Sequence, residues 1–175
     1  MLNQDRYSAI STINHWVTAL FIVVMLALGY AVAAAPSEVI EDYVLGIHIS
    51  LGFFVFIFVA WRVTFRLYEG FPENIGENVL ERWAAYVAHR VILLLLALMV
   101  ITGPMYLFTE NECVNVFNWF SVCLPLESLS FIHEPMEWIH VNTGLYLLPA
   151  LLVLHFIGAI RHYAVRGKQE TPSDL

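Results

Sequence analysis

The sequence is poor in charge and contains a single lysine. Charged residues make up 13% of the 175 residues, against roughly 25% in soluble domains, while hydrophobic residues reach 59%, against roughly 45–50%. This composition excludes a disordered chain, and nine scattered glycines exclude a collagen-like repeat. The formal net charge of −7 adds to the case against nucleic-acid binding.

The apolar residues fall into four blocks, each long enough to cross a bilayer. A hydrocarbon core of roughly 30 Å takes about 20 residues of helix. The alternation typical of barrel strands is absent, and backbone groups in lipid must be satisfied internally, so each block is predicted to be helical. The blocks run from about Ile10 to Ala33, Tyr43 to Leu67, Ala84 to Phe108 and Met136 to Tyr163.

These spans predict an all-α membrane protein, with residues 1–175 forming a single domain folded as a four-transmembrane-helix up-and-down bundle. All eight basic residues lie on one side of the spans: Arg6, Arg62, Arg66, Arg82, Arg90, Arg161, Arg166 and Lys168. The connection 36–42 and the loop 109–135 contain none. Because lysine and arginine collect on the cytoplasmic side, both termini are predicted to be cytoplasmic and the loop 109–135 to face outward.

The predicted outer face is acidic. It carries eight carboxylates and no lysine or arginine: Glu38, Glu41, Asp42, Glu110, Glu112, Glu127, Glu134 and Glu137. One interpretation is a solvated rim. The other is a surface that steers a cationic partner toward the membrane.

Both cysteines, Cys113 and Cys123, lie in the outer loop. In an oxidising periplasm they are predicted to form a disulfide, and two thiols alone would not complete the coordination sphere of a metal ion. The segment between them, VNVFNWFSV, is apolar and aromatic. It predicts a short element lying in the headgroup region.

Seven histidines are many for a chain with so few polar residues. Ionisable groups at membrane depth are costly and are usually functional where they face a bundle interior. Five of them fall at two predicted depths, with His48 and His140 toward the outer face and His15, His89 and His155 toward the cytoplasmic face. A b-type haem takes two axial imidazoles at one depth, so two levels predict two haems. For any single position the alternative is a hydrogen-bonded core histidine.

Spacing along the helices agrees with two stacked haems. Positions 14 apart return to nearly the same face of a helix, about 21 Å further along. Gly29 and Gly103 each follow a histidine by 14 residues, so a glycine is expected where the haem of the other level approaches. Arg62 follows His48 by the same spacing, which places a cation at the inner level, where it can pair with a haem propionate.

The two histidines of the fourth span, His140 and His155, are 15 residues apart. In a regular helix that spacing rotates them about 60° out of register. Pro149 lies between them and removes a backbone donor. A π turn at the proline inserts one residue and would return both histidines to one face, so the sequence predicts a π turn here.

Several common motifs are missing. The sequence has no CxxCH, which excludes a covalent c-type haem. It also has no Walker motif, no GxGxxG, no HExxH and no nucleophile elbow, so nucleotide and hydrolytic chemistry have no support.

Four segments together resemble the bacterial cytochrome b561 family: YSAISTINHW, GIHISLGFFVFIFVAWRVTFRL, AHRVILLLLALMVITG and LHFIGAIRHYAVRGK. That family is related to the b-type membrane subunits of nickel–iron hydrogenases and of formate dehydrogenase. The resemblance covers nearly the whole chain. It implies a four-helix protein of the bacterial inner membrane that holds two b-type haems and exchanges electrons with ubiquinone or menaquinone.

The resemblance also implies a ligand set. The family's histidines of spans one and two correspond to His15 and His48, and those of span four to His140 and His155. By similarity to the formate dehydrogenase subunit, the inner haem is expected between His15 and His155 and the outer haem between His48 and His140. The spacing of 15 in span four departs from the family's usual 14.

A recurrent histidine of span three corresponds to His89. We interpret it as lining a haem edge or, together with Arg90, a quinone site; it is also the alternative ligand of the inner haem.

Three functions are open at this point. The first is electron transfer between the quinone pool and an outer partner, either a soluble cytochrome or superoxide, the latter making the protein a superoxide oxidase. The second is a membrane-anchor subunit of a larger dehydrogenase or hydrogenase. The third is haem-free transport of metal ions or protons by the histidines. The acidic outer face favours a cationic cytochrome over anionic superoxide.

Overall fold

The computed structural model describes residues 9–71 and 78–169, with side chains as far as residue 164. Four helical segments in this part of the chain are long and apolar enough to cross a membrane, which confirms the predicted four-helix membrane fold. Their bounds are α1 (Ala9–Ala33), α2 (Glu38–Glu69), α3 (Val79–Thr109), and a fourth helix made of α4 (His133–Asn142), a π turn (Thr143–Leu147) and α5 (Leu148–Gln169).

The helices alternate in direction, so the bundle has two ends. We call the end with the segments 34–37 and 110–132 the loop side, and the end where α1 and α3 begin and α2 and α5 end the terminal side. Of the basic residues that predict the orientation, Arg6 lies outside the described residues, as do the side chains of Arg166 and Lys168.

Local sequence signals set the helix ends on the terminal side. α2 ends at Glu69 and is capped by Gly70, whose φ of 79° is readily adopted only by glycine. α3 begins with Asn78 as its N-cap, where the side-chain oxygen accepts the Glu81 N–H at 2.9 Å and the side-chain amide donates to the Glu81 carboxylate at 3.2 Å.

α1 packs along α2, and the character of this interface changes with depth. On the terminal side, the buried face of α1 is polar, with Ser11, Asn14 and Thr18 each only 2% exposed. Toward the middle of the bundle, the interface becomes apolar. The central core is formed by residues from all four long helices: Ile22, Val55, Val59, Leu95, Leu96 and Leu148.

The loop between α3 and α4 contains a small antiparallel hairpin, β1 (Val114–Val116) and β2 (Phe120–Val122). Three residues connect the strands, and the Trp119 N–H donates to Val116 O at 2.8 Å. The two central residues of this turn, Phe117 and Asn118, both have positive φ (45° and 59°), as a type I′ turn requires. Cys113 and Cys123 form a disulfide beside the strand ends, with their Cα atoms 4.5 Å apart. The apolar segment between the cysteines is therefore a β-hairpin.

Ser50 of α2 attaches this hairpin to the bundle. Its hydroxyl lies 2.7 Å from the Gly46 carbonyl oxygen and 3.0 Å from that of Asn115, and it accepts the Phe117 N–H at 3.0 Å. Val116 of β1 is fully buried on the face of the hairpin that packs against the bundle. The hairpin thus covers the loop side of the bundle, above the histidines of that level.

Candidate haem sites

On the loop side, His48 of α2 faces His140 of α4. Their ring centres are 6.2 Å apart and their planes are nearly perpendicular, at 86°. Two imidazoles that each bond a single metal ion at about 2.0 Å have ring centres roughly 6 Å apart. The observed separation therefore fits an iron held between the two rings.

Hydrogen bonds determine which ring nitrogen of His140 carries the proton. Its Nδ1 lies 3.2 Å from the Met99 carbonyl oxygen and 3.3 Å from the Thr102 hydroxyl. The Thr102 hydroxyl donates its own proton to Leu98 O at 2.8 Å, so toward the imidazole it accepts. His140 therefore carries its proton on Nδ1 and leaves the lone pair of Nε2 free, which is the usual arrangement of a metal-bound histidine.

His48 supplies the complementary observation. Its Nδ1 is buried and has no hydrogen-bond partner within residues 9–71 and 78–164. A buried polar atom without a partner is costly, and it is uncommon in native structures unless a ligand or water binds there. A ring nitrogen left open in this way fits a cofactor bound at this level.

Glycine allows the close packing of the loop-side pair. A Cβ added at Gly103 of α3 would lie 2.8 Å from Cε1 of His140, which is closer than a methyl group can approach. A Cβ at Gly29 of α1 would lie 3.8 Å from Cε1 of His48, an ordinary contact. Both glycines lie beside the loop-side pair. The sequence predicts a glycine where a haem approaches, and the structure shows that Gly103 also makes room for the imidazole of His140.

The terminal side holds the three other membrane histidines. The rings of His89 and His155 have their centres 5.2 Å apart, at an interplanar angle of 71°. His15, on α1, is the third histidine on this side. Its Nδ1 is 2.9 Å from the Arg62 guanidinium, which also donates to the Asn14 side-chain oxygen at 3.3 Å.

The two residues of the predicted quinone site are also on the terminal side. The Arg90 guanidinium lies 3.4 Å from the ring centre of Tyr86 and 4.2 Å from that of Phe71, and it donates to Tyr86 O at 3.2 Å. Its charge is close enough to interact with His89. Arg90 is thus held between aromatic rings beside the three-histidine level.

One arrangement that the sequence analysis did not single out is a repeat of the His140 contacts. His133 lies seven residues before His140, and its Nδ1 is 3.0 Å from Tyr106 O and 3.3 Å from the Thr109 hydroxyl. Each of these partners follows the matching partner of His140 by seven residues. In the sequence, this repeat is visible as two equal spacings of seven residues, one between the two histidines and one between the two threonines. The Nε2 of His133 faces Glu110 at 3.2 Å.

The comparisons with known proteins agree with this arrangement. The family model described as prokaryotic cytochrome b561 matches residues 6–172. The chain belongs to the prokaryotic cytochrome b561 family. It is also similar to cytochrome b561 homolog 2 of Escherichia coli (strain K12), with 25% identity over 163 residues, which cover 92% of this chain and 86% of that protein.

Membership of the cytochrome b561 family confirms the resemblance drawn from the sequence. It makes the chain a b-type cytochrome of bacterial membrane electron transfer. Within the described residues, no three His, Cys, Asp or Glu side chains are grouped to hold a metal ion. The loop-side histidines form a facing pair, which suits haem iron because the porphyrin supplies its other four ligands.

The fit of Gly103 against His140 yields a first prediction. Gly103→Ala should displace the His140 ring, at a cost of about 1–3 kcal/mol for the overpacking, and so weaken haem binding on the loop side. The haem content per chain and the absorption spectrum of the purified variant measure this loss. Gly158→Ala is the matched control, because nothing lies within 4 Å of a Cβ at that position. Equal haem content in the two variants would contradict the assignment.

Proposed function

We propose that this cytochrome holds two b-type haems, one at each histidine level, and transfers electrons across the bacterial inner membrane between the quinone pool and a partner at the outer face. The observation that carries the proposal is the facing pair His48 and His140, with its iron-compatible spacing, at a different depth from the three other membrane histidines. When bound, a b-type haem with two imidazole ligands accepts and releases one electron.

For the loop-side haem, the proposed ligands are His48 and His140. For the terminal-side haem they are His15 and His155, following the resemblance to the formate dehydrogenase subunit. The 5.2 Å between the ring centres of His89 and His155 is shorter than the roughly 6 Å that two imidazoles on one metal require, which disfavours those two as the ligand pair. The His15 Nδ1 accepts from Arg62 at 2.9 Å, so binding of iron through His15 Nε2 would require the Arg62 guanidinium to leave this nitrogen. His89 remains the alternative partner of His15.

Arg62 is the proposed partner of a haem propionate on the terminal side. Its guanidinium is already positioned at this level by Asn14 and His15. A guanidinium directed at a carboxylate forms strong charge-assisted hydrogen bonds. Arg62 would therefore fix the orientation of the cofactor in addition to balancing its charge.

His89 and Arg90 are proposed to line the site of a ubiquinone or menaquinone on the same side. A quinone that takes up two electrons also takes up two protons, and an imidazole can deliver a proton near neutral pH. His89 is positioned for this role next to Arg90 and to the proposed haem ligand His155.

The distribution of charge supports the proposed orientation. The arginines with described side chains, Arg62, Arg66, Arg82, Arg90 and Arg161, belong to the terminal-side halves of their helices. The terminal side is therefore assigned to the cytoplasm. The disulfide Cys113–Cys123 then lies on the oxidising side, as expected of a periplasmic loop.

The outer partner is proposed to be a soluble, positively charged cytochrome. All eight acidic residues of the loop side are exposed. Beside them the hairpin exposes aromatic side chains, with Trp119 73% exposed and Phe120 45% exposed. Aromatic residues surrounded by charge of one sign are typical of electrostatically steered association. The alternative donor, superoxide, is an anion and would be repelled by the same field.

The ligand assignment predicts distinct losses of haem. His48→Ala should lose the loop-side haem alone, and His15→Ala the terminal-side haem alone, because each variant removes one axial imidazole. His89→Ala should keep both haems and slow quinone reduction. Haem content, redox titration and quinone reductase rates measure these outcomes.

His162→Ala serves as the control, since this histidine lies seven residues beyond His155, near the cytoplasmic end of α5. If His48→Ala and His15→Ala both keep two haems, the assignment is wrong. If His89→Ala loses a haem, His89 replaces His155 as the inner partner of His15.

The acidic loop side predicts opposite salt effects for the two outer partners. The field of exposed carboxylates extends about 8 Å at physiological salt and further at low salt. Electron exchange with a basic cytochrome should therefore accelerate as salt is removed, whereas a reaction with superoxide should slow. Stopped-flow rates at several ionic strengths measure both. A superoxide reaction that approaches the diffusion limit and accelerates at low salt would overturn the choice of partner and support a superoxide oxidase.

The second candidate, an anchor subunit of a larger dehydrogenase or hydrogenase, uses the same haem sites as a relay. Purification of the protein from its native membrane separates the two proposals. A soluble catalytic subunit recovered at one-to-one stoichiometry would establish the anchor role.

A further inference from the structure

The π turn Thr143–Leu147 lies between the two histidines of the fourth helix. Within it, the Leu148 N–H donates to Thr143 O, five residues back instead of four. The turn absorbs one residue, so the 15-residue separation of His140 and His155 acts as one of 14, which keeps both on nearly the same face. The relative orientation of these two side chains therefore depends on this turn.

Pro149 follows the turn directly and creates a need for an external donor. In an α-helix, the N–H of residue 149 would bond the carbonyl of Leu145, but proline has no N–H and its ring pushes that carbonyl aside. A carbonyl without a partner inside a membrane is costly. The hydroxyl of Tyr30, on α1 and 115 positions away in sequence, donates a hydrogen bond to Leu145 O.

The surroundings of Tyr30 connect this hydrogen bond to the loop-side pair. Gly29, the preceding residue, lies against Cε1 of His48, at 3.8 Å from the position of an added Cβ. On the opposite side of the turn, Gly144 packs against Met99, with 3.1 Å between an added Cβ and the methionine methyl group. The π turn is thus held between α1 and α3, next to both histidines of the loop-side level.

We infer that Tyr30 is a positioning residue, whose hydroxyl replaces the N–H that Pro149 lacks and so fixes the π turn that sets His140 in register with His155. Its contact is with a backbone carbonyl and not with the cofactor. Loss of the hydroxyl would leave Leu145 O unpaired and allow the turn to shift along the helix, which would rotate His140 relative to His48. The inference rests on the proposed role of His140 and His155 as haem ligands.

The test compares Tyr30→Phe in two backgrounds, the natural chain and Pro149→Ala. In the natural chain, Tyr30→Phe should speed loss of the loop-side haem to apomyoglobin about tenfold, the factor that corresponds to one lost hydrogen bond of about 1.4 kcal/mol. It should also change the reduction potential of that haem, while the terminal-side haem keeps its potential. In Pro149→Ala, an alanine N–H is available to Leu145 O, so Tyr30→Phe should alter the rate by less than about twofold.

Tyr146→Phe is the matched control, because Tyr146 lies in the π turn and is 68% exposed. Equal effects of Tyr30→Phe in both backgrounds, or no effect in either, would overturn the inference. If Pro149→Ala fails to retain haem, Tyr30→Phe and Tyr146→Phe are compared in the natural chain by the reduction potential of the loop-side haem. Equal potentials in these two variants refute the inference. A natural chain with fewer than two haems would instead refute the proposed function.

Discussion

A polar group at membrane depth has to find its partner inside the protein, because the surrounding lipid offers none. This constraint accounts for several of the specific contacts among the described residues. Arg62 donates to the side-chain oxygen of Asn14 and to the His15 ring. The Tyr30 hydroxyl donates a hydrogen bond to Leu145 O, which has no N–H partner at Pro149. The buried Nδ1 of His48 finds no such partner among the described residues, which fits a cofactor bound at this level.

The packing of α3 against α4 shows how the helices themselves provide second-sphere contacts. Neighbouring antiparallel helices with a seven-residue period present the same pair of groups at every second turn. A carbonyl and a threonine hydroxyl of α3 therefore meet His140 and again His133. The deeper histidine faces His48 across the bundle, whereas the Nε2 of the shallower one meets Glu110 at the surface. His140 and His133 make the same contacts with α3, and they differ in how deep they lie in the bundle.

The four spans and the π turn could be predicted from the sequence, because both follow from local rules. Block length fixes a transmembrane helix, and a proline within a 15-residue spacing indicates an inserted residue. Other features depend on tertiary contacts that no local pattern contains. The segment 114–122 is a hairpin with two residues at positive φ because Ser50, far away in sequence, holds its turn. The rotation of α1 decides whether His15 faces Arg62 or another histidine, and sequence spacing fixes only its depth.

The central claim is that this chain carries two b-type haems at two depths. The most direct test is the molar ratio of haem to protein in the purified, haem-replete cytochrome, combined with a redox titration. The account predicts two haems per chain, both with the low-spin spectrum of bis-imidazole ligation, and two separable components in the titration. A ratio of one, or a spectrum without b-type haem, would contradict it.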